Sequence, residues 1–222
     1  LSAAFPDTCQ LWQVDLFGES TAIYLLDPAE QNRAARFRFE RDRRRFVNSR
    51  IALRKILATY LDRDPAQLRF HIGEYGRPSF SDASLQFNIT HSEDLALIAV
   101  TAQGPLGVDL ESVREIDCVL ELARRYLHPN EILLLEAAAP ADRSEIFLSC
   151  WVRKEAVLKS TGAGLTLDTR LLDVGATRDA KTLNLPGFPA LRVTSLEPVQ
   201  GFIAALATAP AVRKFELRRF DP

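Results

Sequence analysis

Residues 86–102, QFNITHSEDLALIAVTA, share a layout with residues 191–209, LRVTSLEPVQGFIAALATA. Each reads as a strand, a polar turn and an apolar strand, and the Ser92-Glu93-Asp94 cluster predicts the turn of a β-hairpin. Upstream of each hairpin runs a helical pattern. Between Arg33 and Leu61, apolar residues such as Phe46, Ile51, Ile56, Leu57 and Leu61 recur at helical intervals, and SEIFLSCWVRKEAVLKSTG (144–162) forms the second long helix. Phe46, Arg50, Arg54 and Lys55 on the first echo Phe147, Trp151, Arg153 and Lys154 on the second. The fold class that follows is α+β, a pseudo-dimer of two similar halves, 1–105 and 106–222, joined near Gly104-Pro105. Two such halves leave a cleft at their junction, a common place for a ligand.

Other elements fill this frame. LWQVDL (11–16) reads as a strand, and Asp27-Pro28 opens a helix with proline in its first turn. LRFHIGEYGRPSF (68–80) reads as a strand with a turn at Gly76-Arg77-Pro78, and GPLGVDLES (104–112) as another short strand. IDCVLELARRYL and HPNEILLLEAA read as helices.

The chain has 222 residues, is 47% apolar and has a net charge of −1. Near-neutrality argues against a global attraction to nucleic acid or membrane. Cys9, Cys118 and Cys150 are odd in number and widely spaced, which fits a reducing compartment and argues against a disulfide framework or a cysteine-ligated zinc site. No basic stretch leads into an apolar run at the N-terminus and no apolar run could span a bilayer, so the expected location is the cytoplasm. The absence of methionine reads as a trimmed chain.

Four constellations carry chemistry. In GVDLE (107–111), Asp109 and Glu111 lie two apart on a strand and share a face. Two adjacent carboxylates fit either a solvated face or a hard cation such as Mg²⁺. In WVRKEAVLK (151–159), Trp151, Glu155 and Lys159 are four apart on a helix that Gly162 caps. Glu155 and Lys159 fit a surface ion pair; Trp151 on the same stripe favours a covered face lining a reaction cleft, where Glu155 needs a partner. Ten basic residues stand against two acidic ones over 33–55, which fits a solvated face or a polyanionic ligand. The patch lacks the aromatic platforms of single-strand nucleic-acid binders. YGRP (75–78) aims Arg77, and FNITHS (87–92) sets His91 between two hydroxyls, Thr90 and Ser92. No P-loop or clean dinucleotide fingerprint is present.

Taken in order, the basic helix, the YGRP turn, FNITHS, GVDLE and WVRKEAVLK ending in glycine resemble the surfactin-synthetase-activating type of 4'-phosphopantetheinyl transferase, over about Arg33 to Leu172. The resemblance implies transfer of phosphopantetheine from coenzyme A, the substrate, to a serine of an apo acyl or peptidyl carrier protein, with Mg²⁺ (or Mn²⁺) in the cleft. It implies Asp109, Glu111 and Glu155 as metal ligands, with Glu155 and Lys159 as the catalytic pair. It implies Arg33, Arg50, Arg77, Thr90, His91, Lys154 and Lys159 as coenzyme A contacts. Thr90 stands where serine is commoner, Ala156 where serine often follows Lys-Glu, and Arg77 where lysine is usual; each departure keeps the reaction class. An acidic carrier would dock near 114–135, at Tyr126 and Leu127. One chain containing both walls of its cleft is expected to be a monomer. The rival readings are a metal-dependent nuclease, which would place its lysine two residues after an acid on one strand, and a non-enzymatic coenzyme A or nucleotide-binding module.

Overall fold

A computed structural model describes residues 7–73, 76–80, 85–162, 164 and 167–220. Tyr75 of the YGRP turn lies outside these residues.

The first half runs β1 (Thr8–Asp15), α1 (Pro28–Ala34), α2 (Glu40–Leu61), the two-residue strands β2 (His71–Ile72) and β3 (Pro78–Ser79), then the hairpin β4 (Gln86–Ser92) and β5 (Leu95–Thr101). The second runs β6 (Leu106–Ser112), α3 (Val119–Tyr126), α4 (Pro129–Ala137), α5 (Arg143–Thr161), β7 (Lys181–Leu183), then the hairpin β8 (Leu191–Leu196) and β9 (Phe202–Thr208). The strand orders show the duplication: β1-β5-β4 in one sheet and β6-β9-β8 in the other, all antiparallel. β7 extends the second sheet. The last strand, β10 (Lys214–Phe220), crosses back and pairs in parallel with β1, so a segment that sequence division assigns to the second half completes the first sheet.

The helical pattern from Arg33 to Leu61 is broken in the structure: α1 ends at Ala34 and α2 begins at Glu40. A straight helix would hold residues 30 and 54 about 36 Å apart. The break folds α1 back, so that Glu30 meets Arg54 at 2.7 Å. α1 starts as expected, on a capping box between Asp27 and Glu30 with Pro28 in the first turn. The β4–β5 turn also lies where predicted, with Glu93 in the left-handed region. Arg45 fastens α2 to it through Asp94 (2.9 Å) and Glu93 (2.9 Å).

β5 is buried along its whole length because both of its faces are covered. One face packs with α2 through Leu53, Ile56 and Leu57; the other packs through Leu95, Leu97 and Ala99 against Leu106, Val108 and Leu110 of β6. This alternation decides what β6 shows on its other face. Val108 and Leu110 point into the sandwich, leaving Gly107, Asp109 and Glu111 toward α5. A Cβ at Gly107 would sit 2.0 Å from the Ala156 carbonyl oxygen, so only glycine lets α5 lie this close to the strand.

Candidate active site

The edge strands β4 and β6 run side by side, joined by side chains. Asn88 Oδ1 accepts the Val108 amide (2.9 Å) and Ser92 Oγ accepts the Ser112 amide (3.0 Å). Along this seam opens a cavity of about 740 Å³, walled by α1 and α2, the β2–β3 hairpin, β4 and α5. Arg33, Arg50, Arg77, His91, Glu155 and Lys159 all line it.

At the floor, Lys159 Nζ donates to Asp109 Oδ1 at 2.6 Å and to Thr90 Oγ1 at 3.1 Å, and Thr90 donates to the same Asp109 oxygen at 3.1 Å. Burial pushes the Asp109 carboxyl above the usual range, and the Lys159 charge pulls against it. Glu155 is also pushed up, first by burial and then by the nearby Asp109 carboxylate, with Glu111 adding to the effect. Glu155 on α5 therefore feels both carboxylates of β6. Glu111 is engaged by Arg114 (3.0 Å) and Ser92 (3.4 Å). Among the described residues, no three His, Cys, Asp or Glu side chains form a closed ligand set.

The cationic wall comes from the first half. Arg50 is 8% exposed, and among the described residues its Nη1 meets no hydrogen-bond partner. Its guanidinium lies 5.4 Å from the Phe46 ring centroid and that of Arg33 lies 5.1 Å from the same ring. Burial lowers the proton affinity of Arg50, so an anion in the cavity would relieve both the charge and the open donor. Arg77 donates to the Lys159 and Leu106 carbonyls, bracing the β2–β3 hairpin against the second half. Desolvation lowers the His91 pKa, with the positive charges of Lys159, Arg45 and Arg50 adding.

Much of the arginine run is spent on the protein's own acids. Arg43 pairs with Glu40, Arg44 and Arg45 with Asp94, and Arg54 with Asp27 and Glu30. Of the run, Arg33 and Arg50 face the cavity, while Arg36, Arg38 and Arg41 stay exposed at the surface.

Lys154 departs from its expected role as a coenzyme A contact. It is 0% exposed and its ammonium is held by Glu131 (2.7 Å) and by the carbonyls of Thr169 (2.8 Å) and Leu172. Its position on α5 turns it into the fold. Trp151 does not line the cleft either: it packs edge-on to Tyr126 at 5.5 Å and parallel to Phe147 at 6.4 Å, in the core beneath α3 and α4. That core also absorbs Leu127, 1% exposed, which removes it as a carrier contact.

Sequence reading missed Glu131, Gly107 and Phe46. The first had a visible signal. HPNE (128–131) opens α4 with the same capping box and first-turn proline that DPAE (27–30) gives α1.

A larger groove of about 1060 Å³ lies between β10 and the β8–β9 turn. Its walls mix apolar residues, among them Leu11, Phe202, Phe215 and Leu217, with polar ones such as Glu145 and Gln200, and its Arg178 is paired with Glu197. The smaller cleft, where Arg33, Arg50, His91, Glu155 and Lys159 converge, is the candidate site.

A cleft that sets fixed cations on one wall and carboxylates with a lysine on the other suits a substrate carrying several phosphates. Sequence comparison agrees. A family model described as 4'-phosphopantetheinyl transferase, N-terminal, matches residues 11–103, and one for the 4'-phosphopantetheinyl transferase superfamily matches residues 105–206. The chain is 35% identical to the 4'-phosphopantetheinyl transferase HetI of Nostoc sp. (strain PCC 7120) over 91% of this chain and 88% of that one. It is 32% identical to psf-1 of Bacillus pumilus over 74% of this chain and 72% of that one, and 28% identical to Sfp of Bacillus subtilis over 72% and 71%. The chain belongs to the 4'-phosphopantetheinyl transferase superfamily, whose members move the phosphopantetheine arm of coenzyme A onto carrier proteins.

Proposed function

We propose that this chain binds coenzyme A in the 740 Å³ cleft and transfers its phosphopantetheine arm to a serine of an apo acyl or peptidyl carrier protein, releasing 3',5'-ADP. The observation that carries this reading is the meeting of Glu155 and Lys159, the latter held by the buried Asp109, with the unpaired Arg50 in one cavity. Arg33, Arg50 and His91 hold the nucleotide phosphates. Lys159 turns from Asp109 to the pyrophosphate and stabilises charge gathering on the departing 5'-phosphate. Arg77 keeps its brace and lends positive charge at the cavity edge. Thr90 orients Lys159 and Asp109.

Asp109, Glu111 and Glu155 fit a hard divalent cation, because all are oxygen donors and the carboxylates of Asp109 and Glu111 raise the proton affinity of Glu155, as Glu111 does that of Asp109, in a way that a bound cation relieves. Mg²⁺ or Mn²⁺ held there would neutralise pyrophosphate oxygens. The carrier serine Oγ bonds to the phosphorus bearing pantetheine, the bond from that phosphorus to the bridging oxygen breaks, and Glu155 takes the serine proton.

The division at residue 105 gives each half one wall, so a single chain suffices and a monomer is the inferred state. We infer a cytoplasmic location from the three free cysteines. Among the described residues no helix is long and apolar enough to cross a membrane.

Incubation of the chain with Mg²⁺, coenzyme A and an apo carrier protein tests the reading. Mass spectrometry of the carrier should show the gain of one phosphopantetheine arm. A broad panel of carriers left unmodified would overturn it.

A further inference from the structure

We propose that Lys154 and Glu131 form a positioning pair that sets the height and rotation of α5, so that Glu155 and Lys159 reach the cleft, and that Lys154 makes no contact with coenzyme A. The proposal deepens the transferase reading and rests on it for its kinetic arm.

Three lines of geometry carry it. First, the three N–H donors of Lys154 are matched by three acceptors: Glu131 at 2.7 Å, the Thr169 carbonyl at 2.8 Å and the Leu172 carbonyl. Glu131 is equally committed, accepting the amides of Val174 (2.8 Å), Gly175 (3.0 Å) and His128 (2.9 Å). Second, Lys154 and Lys159 are five residues apart, so their side chains leave the helix about 140° from each other. When Lys159 faces Asp109, Lys154 faces the fold.

Third, the first half contains the same construction. Arg54, also fully buried, meets Glu30 at 2.7 Å, Asp27 at 2.9 Å and the carbonyls of Pro65 and Leu68, each at 3.0 Å. In both halves a cation on the long helix takes the glutamate at the third position of a proline-started helix, plus two carbonyls from the turn after the long helix. Among the described residues, neither cation lines the cavity. A device built twice, once with arginine and once with lysine, serves the architecture; a ligand contact would be needed on one wall only.

The test compares the full chain with Lys154→Met, Glu131→Gln, the double variant and Lys154→Arg, by melting temperature, 3',5'-ADP binding calorimetry, and kcat and KM for coenzyme A. Each single neutralisation strands a buried charge and should lower the melting temperature by on the order of 10 °C. It should cut kcat about tenfold or more, with the 3',5'-ADP Kd and the coenzyme A KM within about twofold of the parent. The double variant should regain most of the melting temperature and turn over at least about tenfold faster than Lys154→Met. Lys154→Arg, which copies the first half, should keep the parent's Kd and serves if the singles do not fold. A double variant no more active than Lys154→Met, or a tenfold weaker Kd in folded Lys154→Arg, would overturn the pair. If the parent modifies no carrier, the transferase reading fails instead, and melting of the double against the singles still decides the pair.

Discussion

The helices α2 and α5 hold the same place in the two halves, yet they present opposite chemistry to the cleft. Setting Arg54 against Lys154, as their buried partners require, puts Lys55 opposite Glu155, Thr59 opposite Lys159 and Arg50 opposite the buried Cys150. The framework positions match in role while the cleft-facing positions do not match at all. Duplication thus supplied a scaffold, and the two walls then diverged: α2 brings the cation Arg50, α5 the carboxylate Glu155 and Lys159. A substrate with a pyrophosphate and a separate phosphate needs both, one wall to hold charge and one to move it.

The comparison breaks most sharply at its reactive positions. Glu155→Gln should lower kcat by about 10²–10³ while 3',5'-ADP binding persists, whereas Lys55→Met at the corresponding position should leave turnover within about twofold. Equal losses, read by carrier mass shift over time, would end the division of labour between the walls. Gly107→Ala comes next. Its Cβ forces α5 off β6, costing on the order of 1–3 kcal/mol in urea unfolding and separating Lys159 from Asp109. An unchanged midpoint would mean that the strand yields more easily than its packing indicates.

Arg50→Met sharpens the other wall. It should weaken 3',5'-ADP binding about tenfold by calorimetry, consistent with loss of a charged hydrogen bond, yet leave the melting temperature unchanged or higher because a buried unpaired cation is gone. The smallest effect concerns pH. Desolvation and neighbouring cations hold the His91 pKa below its ordinary value, so the free protein has a neutral imidazole at pH 7. An arriving phosphate favours the protonated ring and raises that pKa, so binding takes up a proton and affinity should rise as pH falls from 7 toward 5.5, by about threefold. His91→Gln should flatten that slope.

The motifs were legible because each is local. GVDLE alternates on a strand, so Val108 and Leu110 had to go one way and Asp109 and Glu111 the other. Asp27-Pro28 announced a helix start, and the Ser92-Glu93-Asp94 turn was readable from composition. The echo between the long helices was also visible, but its register was read one residue off. Arg54 was matched with Arg153, whereas its role belongs to Lys154. Arg153 instead donates to the carbonyls of Val174 (2.9 Å) and Thr177 (3.0 Å) and to the Ser195 hydroxyl (2.9 Å). Charge identity misled there, because a buried cation is defined by its acceptors and those lie far along the chain. A different cause placed Trp151 in the cleft: four-residue spacing gives a stripe, but a stripe turns through about 40° at each step, enough to carry Trp151 onto the core beneath α3 and α4 while Lys159 stays in the site.

By itself the sequence determined the duplicated α+β layout and the family, since those rest on periodicity and on motifs a few residues long. Only the tertiary structure decided which cations face the cavity and which are consumed inside, that β10 returns to the first sheet, and that Gly107 sets the distance between α5 and β6. Those outcomes depend on which distant groups reach a buried charge first, and the free energy of such a charge is set by its surroundings in space, which neighbours in the chain do not specify.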